Sequence, residues 1–283
     1  MKVLVVSKPE QMAQSFQMID ALCQNHVYEV VSIEQVANYS SPVDFVVAIG
    51  GDGTMLTACR LAAKQQIPVV GINKGHLGFL TAHVPGSNVK HPITNIANNY
   101  QCLSKSTRYL VKASSVEANI DTAFNEFVLS PPQSDKMLTY DLYIGNEKEV
   151  VYTGQHKANG VIIATPSGSS AYSLSCGGIL VDPNGTKSLQ VVPIAAFSMT
   201  SRALLVSNQY AIKARVRIVV KASASHPVEL KADGLPSALI TNNKAIDFDI
   251  GPHVEVLHDP ELTWYTLLVN KLNWGQNSGR IEY

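Results

Sequence analysis

The chain has few cysteines and spreads them out: Cys23, Cys59, Cys102 and Cys176 form no C-x-x-C pair and no Cys/His spacing of a metal site. That excludes a disulfide scaffold and a zinc module and implies the reduced, mostly buried thiols of a cytoplasmic protein. No apolar run approaches the roughly 18 residues of a membrane-crossing helix. The first residues, MKVLVVSKPEQ, pass from a short apolar run to charge and proline, so they read as a first strand and not as a signal peptide. Neither sign of charge is in excess, since Lys+Arg and Asp+Glu both total 22. No global field therefore draws nucleic acid or an anionic membrane, and no basic run supplies a local one. The Walker pattern G-x-x-x-x-G-K-[ST] and the nucleophile elbow G-x-S-x-G are missing, as are internal repeats and low-complexity tracts. At 283 residues, 46% apolar and 16% charged, the chain has room for two domains and a large core. Any phosphate binding must come from local geometry.

What is present is Val43 to Thr54, VDFVVAIGGDGT. Val43, Phe45, Val46, Val47, Ala48 and Ile49 form a nearly continuous apolar run, as in a parallel strand covered on both faces. Gly50, Gly51 and Gly53 let the backbone turn and approach a ligand. The segment Met55 to Lys64 has helix-forming composition, which puts Thr54 at the N-cap position and aims free N–H groups back at the turn. Anions suit such a turn, and Asp52 does not. Its carboxylate repels phosphate unless a divalent cation neutralises it or it accepts a proton, and both conditions occur in phosphoryl transfer. The alternative is an Asp-Gly turn in which Asp52 only shapes the backbone. Leu56 stands where the dinucleotide fingerprint G-x-G-x-x-G needs its last glycine.

Strand patterns at Lys2 to Ser7, Tyr28 to Ile33, Val43 to Ile49 and Ile67 to Ile72 alternate with helical ones. One of the latter, Pro9 to Gln24, carries Met12, Phe16, Ile19 and Leu22 at helical spacing. Together they predict an α/β domain with a parallel sheet. From Thr107 on, short alternating strands separated by turn residues, Asn146, Pro183-Asn184-Gly185 and Asp233-Gly234 among them, predict an all-β, sandwich-like second domain. Glu261 to Leu272 is helical again. The division expected is 1–104 together with 260–283, and 105–259.

Two more stretches carry chemistry. Asn125-Glu126, flanked by Phe124 and Phe127, suggests a strand edge whose amide and carboxylate could hold sugar hydroxyls; a surface turn is the plainer alternative. Thr165 to Gly178, TPSGSSAYSLSCGG, follows the apolar strand Val161 to Ala164 and is dense in hydroxyls and glycines. It offers hydroxyl and N–H donors, or it is a Ser-rich capping turn.

In this order, GGDGT at 50–54, NE at 125–126 and TPSGSSAYSLSCGG at 165–178 resemble the NAD kinases, which phosphorylate the adenosine ribose 2′-hydroxyl of NAD. The long third motif carries the resemblance, because lipid kinases and phosphofructokinases have turns like the first. Gly71-Ile-Asn-Lys-Gly-His-Leu-Gly-Phe-Leu-Thr is similar to the family's G-x-N-x-G-x-L-G-F-L, Asp233-Gly234 to its later DG and Lys271-Leu-Asn-Trp-Gly to its closing helix end. The resemblance implies an α/β domain to which the C-terminal helix returns, a β-rich NAD-binding domain, ATP as donor, a divalent metal such as Mg²⁺ with ligands unassigned, and a homo-oligomer, dimer or tetramer. It also implies that Asp52 is catalytic and that Gly51, Gly53 and Thr54 serve the nucleotide. Asn125 and Glu126 then bind the dinucleotide's ribose. Ser167, Ser170, Ala171, Tyr172, Ser173, Leu174 and Ser175 form the NAD-binding segment, with Tyr172 as a stacking face.

The chain departs from the family at three places. Lys157-Ala158-Asn159-Gly160 replaces R-G-D-G, so Lys157 and Asn159 stand at a binding position with altered chemistry. Ala196-Phe197-Ser198-Met199 replaces P-H-[ST]-L, and Leu235 replaces a glutamine. A lysine lacks the planar fork of arginine. Beside the kinase stand a kinase of the same superfamily for a lipid or sugar hydroxyl and a module that binds NAD or NADP without turnover.

Overall fold

Apolar, β-branched runs build the first sheet. Lys2–Ser7 (β1), Val27–Ser32 (β2), Phe45–Ile49 (β3) and Val69–Ile72 (β4) pair in parallel in the order β2-β1-β3-β4. Every residue of β3 and β4 is buried, as expected of strands covered on both faces. Helix α1 (Asp52–Gln65) joins β3 to β4 and buries Met55, Ala58, Cys59, Leu61, Ala62 and Ala63. The structure, a computed structural model, describes residues 2–13, 15, 27–36, 39–73, 78–81, 103–133, 135–146, 149–207, 214–258, 260 and 262–275. The helix expected from Pro9 to Gln24 opens as a 3₁₀ turn at Pro9–Gln11; Phe16, Ile19, Leu22, Cys23 and Cys102 lie outside the described residues.

The chain divides into two units, Met1–Ser106 with Val254–Tyr283, and Thr107–His253. After β4 the strands are Ser104–Ser114 (β5), Thr122–Ala123 (β6), Glu126–Ser130 (β7), Leu138–Asn146 (β8), Val150–Ala158 (β9), Gly160–Ala164 (β10), Ser188–Ile194 (β11), Leu204–Ser207 (β12), Ala214–Val220 (β13), Val228–Ala232 (β14), Leu235–Ile240 (β15) and Lys244–His258 (β16), of which β5 begins and β16 ends in the first unit. One antiparallel sheet runs β12-β11-β10-β7-β14-β15. The other pairs β16, β13, β8 and β9 in that order. Inward residues of both, Val111, Leu142, Ile218 and Phe248 from one and Phe127, Leu129, Ile163, Val191 and Leu230 from the other, form a single core, which is the packing of a sandwich. The Phe127 and Phe248 rings meet across it at 5.5 Å.

Two elements differ from the sequence reading. Strand β7 is paired on both sides, with β10 and β14, so Asn125-Glu126 leads into the interior of a sheet and not along its edge. Strand β16 outruns its apolar pattern: Lys244 to Asp249 pair with β13, while Val256 and Leu257, in the first unit, pair in parallel with Val69 and Val70 of β4. A one-turn helix, α2 (Tyr172–Ser175), interrupts the Ser-rich stretch. Helix α3 (Trp264–Leu272) belongs to the first unit and is capped by Thr263, whose Oγ1 accepts the Thr266 N–H at 3.2 Å. Among the described residues no helix is long and apolar enough to cross a membrane.

Candidate active site

In the first unit the strand order reverses between β1 and β3, and the glycine turn lies at the carboxyl end of β3, where open α/β sheets hold ligands. Helix α1 starts earlier than the sequence suggested. Asp52 is its first residue, Gly51 holds the N-cap position, and no side chain caps it. Thr54 is therefore not a cap: it lies in the first turn, buried, with its N–H on Gly51 O at 3.0 Å. The reason is Gly50, whose φ is +157° and where a Cβ would stand 2.5 Å from Thr54 Oγ1; the threonine packs against that bare backbone instead of reaching out. Thr54 Oγ1 has no hydrogen-bond partner. Over Gly51 and Gly53, by contrast, a Cβ would meet nothing within 4 Å. The first N–H groups of α1, which lack intrahelical acceptors, thus sit beside an open surface.

The Asp52 carboxylate has donors of its own. Oδ2 accepts the Phe79 N–H at 3.0 Å, and Oδ1 accepts those of Leu80 and Thr81 at 3.2 and 3.3 Å and the Thr81 hydroxyl at 3.1 Å. Asn73 Nδ2 donates to Thr81 Oγ1 at 2.9 Å and fixes that hydroxyl. A Cβ on Gly78 would collide with Asp52 Oδ1, so the glycine is there to let the carboxylate in. The sequence argument left Asp52 a cation or a proton as partner; a nest of main-chain N–H groups is a third. Residues 74–77 of that motif lie outside the described residues.

In the second unit, the excursion between β10 and β11 clamps the residues before β7. Thr165 donates its N–H to Asn125 O at 2.8 Å and its hydroxyl to Phe124 O at 2.6 Å, while accepting the Gly168 N–H at 3.1 Å. A Cβ on Gly168 would run into the Asn125 carbonyl. Ser169 bonds Val181 in both directions at 3.2 and 3.0 Å, and the Gln190 side chain holds Ile179 N and O at 3.0 and 2.8 Å. Behind the clamp, Asp233 opens the β14–β15 hairpin in the left-handed region with Gly234 (φ 48° and 80°), the turn that Asp-Gly favours. Its carboxylate accepts the N–H groups of Phe124, Asn125 and Glu126 at 2.9, 2.7 and 3.3 Å.

Five buried side-chain polar atoms among the described residues of this unit have no partner, Asn125 Oδ1, Glu126 Oε2, Tyr140 OH, Ser167 Oγ and Ser188 Oγ; the first two and Ser167 Oγ belong to the two motifs. Burial, with the charge of Asp233 adding to it, pushes the Glu126 carboxyl up to about 8. Tyr172 is 45% exposed, and burial raises its hydroxyl and the Cys176 thiol, each with a smaller push from Glu126. Ala171 and Leu174 are half-buried, and Ser175 is exposed. Ser170 Oγ lies 3.5 Å from Ser167 O. The Ser173 hydroxyl is buried and donates to Gly168 O at 3.1 Å, which makes it part of the loop's own frame. Thr165, Gly168 and Asp233 act here although the sequence singled out only their motifs. Lys157 and Asn159 stand apart. Both are exposed and lie before the start of β10, whereas Thr165 follows its end, so the five residues of β10 alone separate them by about 17 Å at 3.3 Å per residue. Lys157 Nζ lies 5.7 Å from the Phe197 ring centroid, and Lys157 O accepts the Phe197 N–H at 2.9 Å.

An α/β unit with a bare helix start at a Gly-Gly-Asp-Gly turn, and a β unit with buried, unsatisfied acceptors, have the makings of a phosphotransferase whose ligand is rich in polar groups. Residues 2–100 match the model of the ATP-NAD kinase N-terminal domain, and residues 124–257 that of the ATP-NAD kinase C-terminal domain. The chain belongs to the NAD kinase family. It is 32% identical over 236 residues to the NAD kinase of Hydrogenovibrio crunogenus, covering 83% of this chain and 78% of that one. To the NAD kinase of Escherichia coli it is 29% identical over 248 residues, covering 85% and 80%. Its fold is that of an NAD kinase from Archaeoglobus fulgidus solved with ATP (TM-score 0.73, 21% identity, 96% of this chain and 99% of that one). It also matches yeast NADH kinase solved with NADH (TM-score 0.73, 20% identity, 100% and 89%).

Proposed function

We propose that the protein transfers the γ-phosphate of ATP to the 2′-hydroxyl of the adenosine ribose of NAD, giving NADP. The observation that carries this reading is that three of the buried polar atoms without a partner, at Asn125, Glu126 and Ser167, fall in the two motifs on either side of the clamp, within the segment that matches the family's C-terminal domain. A buried polar atom left unpaired costs about 1–3 kcal/mol, a cost that a ligand bearing hydroxyl and amino donors removes. Asn125 and Glu126 take the ribose hydroxyls, and Ser167, Ser170, Ala171, Tyr172, Leu174 and Ser175 line the rest, with Ser173 framing the loop from within and the exposed Tyr172 ring as a stacking face. Gly51 and Gly53 receive donor phosphate at the start of α1, with Thr54 buried behind them in its first turn. Asp52 orients or deprotonates the acceptor hydroxyl through Oδ2, which carries one protein donor where Oδ1 carries three. Lys157 and Asn159 are outer contacts of the dinucleotide.

Among the described residues no group of three or more His, Cys, Asp or Glu could cage a metal. Mg²⁺ does not need such a cage, because it rides on substrate phosphates with one or two carboxylates, and Asp52 Oδ2 fits that part. The ion would supply charge neutralisation on the transferring phosphoryl group. We further assign the protein to the cytoplasm, on Cys59 and Cys176, neither of which is in a disulfide, and to a homo-oligomer, on the apolar side chains of Phe197 and Met199 left 75% and 79% exposed. The test is purified protein with NAD, Mg²⁺ and a panel of donors, read by an NADP-specific dehydrogenase. NADP formed from ATP supports the reading; phosphate found only on a lipid or sugar, or NAD bound without turnover, overturns it.

A further inference from the structure

Two carboxyl groups stand side by side in the second unit, and they are served unequally. Asp233 collects three successive main-chain N–H groups, those of Phe124, Asn125 and Glu126. It is locked in place by its own N–H, which donates to Glu126 O at 3.0 Å, and by the hairpin turn it opens. Glu126 is 7% exposed, and its Oε2 has no hydrogen-bond partner. The groups that face it are the Asp233 carboxylate, the Tyr172 hydroxyl and the Cys176 thiol; none is a cation, and no ion pair reaches it among the described residues. Two acids this close in a dry site do not both carry charge readily. The N–H groups meet Asp233, and Glu126 Oε2 is the oxygen left to hold a proton.

We propose that Glu126 meets the dinucleotide as a neutral carboxylic acid, offering one O–H donor and one carbonyl acceptor to a vicinal diol, and that Asp233 is the positioning residue that keeps it so. This rests on the reading of the site as a dinucleotide site. A ribose diol both gives and takes hydrogen bonds, and a carboxylic acid matches it on both counts where a carboxylate can only accept. A neutral acid also adds no repulsion toward the two negative charges of a dinucleotide's diphosphate. The upward shift of the Glu126 carboxyl agrees. Binding then weakens as pH rises through about 8, because the competent form is the protonated one.

Carboxyl carbon NMR on protein labelled at glutamate, without ligand, reads the proton directly. The expected result is one glutamate titrating near pH 8, absent in Glu126→Gln and moved to lower pH in Asp233→Asn, which removes the neighbouring charge. Glu126→Gln leaves the Asp233 bonds in place and carries the test if Asp233→Asn does not fold. Calorimetry with NAD from pH 6.5 to 9 should show the parent's affinity falling about tenfold per pH unit above the midpoint. That dependence should be absent in Glu126→Gln, which should bind NAD better than Glu126→Ala at pH 7. A midpoint in the ordinary carboxylate range, or a Gln variant that binds no better than the Ala variant, overturns the proposal while NAD binding by the parent stands. A midpoint near 8 in a protein that binds no NAD at any pH overturns the dinucleotide reading and the assignment of the acid to a diol with it.

Discussion

Each unit gives an aspartate three successive main-chain N–H groups: Asp52 receives those of Phe79, Leu80 and Thr81, and Asp233 those of Phe124, Asn125 and Glu126. In the first unit the nested carboxylate is itself the acid of the motif and stands beside the bare start of α1. In the second it stands behind, and the acid of the motif, Glu126, has no donor at all for Oε2. A carboxylate in a motif thus takes its role from the donors it has or lacks, and not from its place in a string. Asp52 is held in position before any ligand arrives and can face a cation or a hydroxyl. Glu126 is left with a need that only a proton or a ligand meets.

The comparison breaks most sharply at Asp52. In Asp52→Asn one amide NH₂ replaces an acceptor, and the proton-accepting capacity is lost. NADP formation is expected to fall by ~10²–10⁴-fold, the usual worth of a positioned base, with NAD still bound in calorimetry. Equal losses of turnover, NAD binding and melting temperature would instead assign Asp52 to holding the turn at 78–81.

Glu126 gives the next largest effect, and its sign follows from the direction of the shift. The unfolded carboxyl titrates at its ordinary 4.5 and the folded one near 8. Below 4.5 both states are protonated and the contribution to stability is fully present. Between the two values the folded protein holds a proton that the unfolded chain has released, so unfolding free energy falls as pH rises, by up to about 1.4 kcal/mol per pH unit, and levels off above. Denaturant melts at pH 5, 7 and 9 should show Glu126→Gln gaining on the parent with each step. Parallel curves would mean that Glu126 ionises without penalty, and the contrast with Asp52 would vanish.

The glycines sharpen the same comparison at lower cost. At Gly168 a Cβ meets the Asn125 carbonyl, whereas at Gly51 (φ −89°) it meets nothing. Overpacking costs about 1–3 kcal/mol, so Gly168→Ala should lower both unfolding free energy and NAD affinity. Gly51→Ala, at the N-cap, should cost no more than about 1 kcal/mol of unfolding free energy and register chiefly as lost turnover, because the added methyl stands where the donor phosphate would approach.

Much of this was legible in the chain. The buried runs at Val43 to Ile49 and Val161 to Ala164 mark strands covered on both faces, and Asp233-Gly234 marks a hairpin. What could not be read is contact at long range. The donors to Asp52 come from 27 to 29 residues away, and Asp233 reaches back 108 residues to Asn125. Phe127 to Leu129 is too short an apolar run to distinguish an interior strand from an edge, which is why Asn125-Glu126 read as exposed. Thr54 misled for a local reason: cap preference assumes an outward hydroxyl, and the bare Gly50 backbone draws it inward.

The smallest effect is expected at Lys157, an exposed side chain outside the clamp. Its cation lies 5.7 Å from the ring of an exposed Phe197, a contact worth about 0.5–1 kcal/mol at such a site. It lies at the end of β9, before β10, whose five residues alone put about 17 Å of strand rise between it and Thr165. As an outer contact in strong solvent screening, Lys157→Ala should weaken NAD binding by about 1 kcal/mol at most, under one decade, and by less than Glu126→Ala does. Lys157→Arg with Asn159→Asp should preserve or tighten binding, since the guanidinium keeps the stack on Phe197 and adds a planar fork. A loss of more than a decade in Lys157→Ala, in protein still folded by circular dichroism, would place this lysine among the principal contacts. The second unit would then hold its ligand by charge at one end of β10 as well as by a neutral acid at the other.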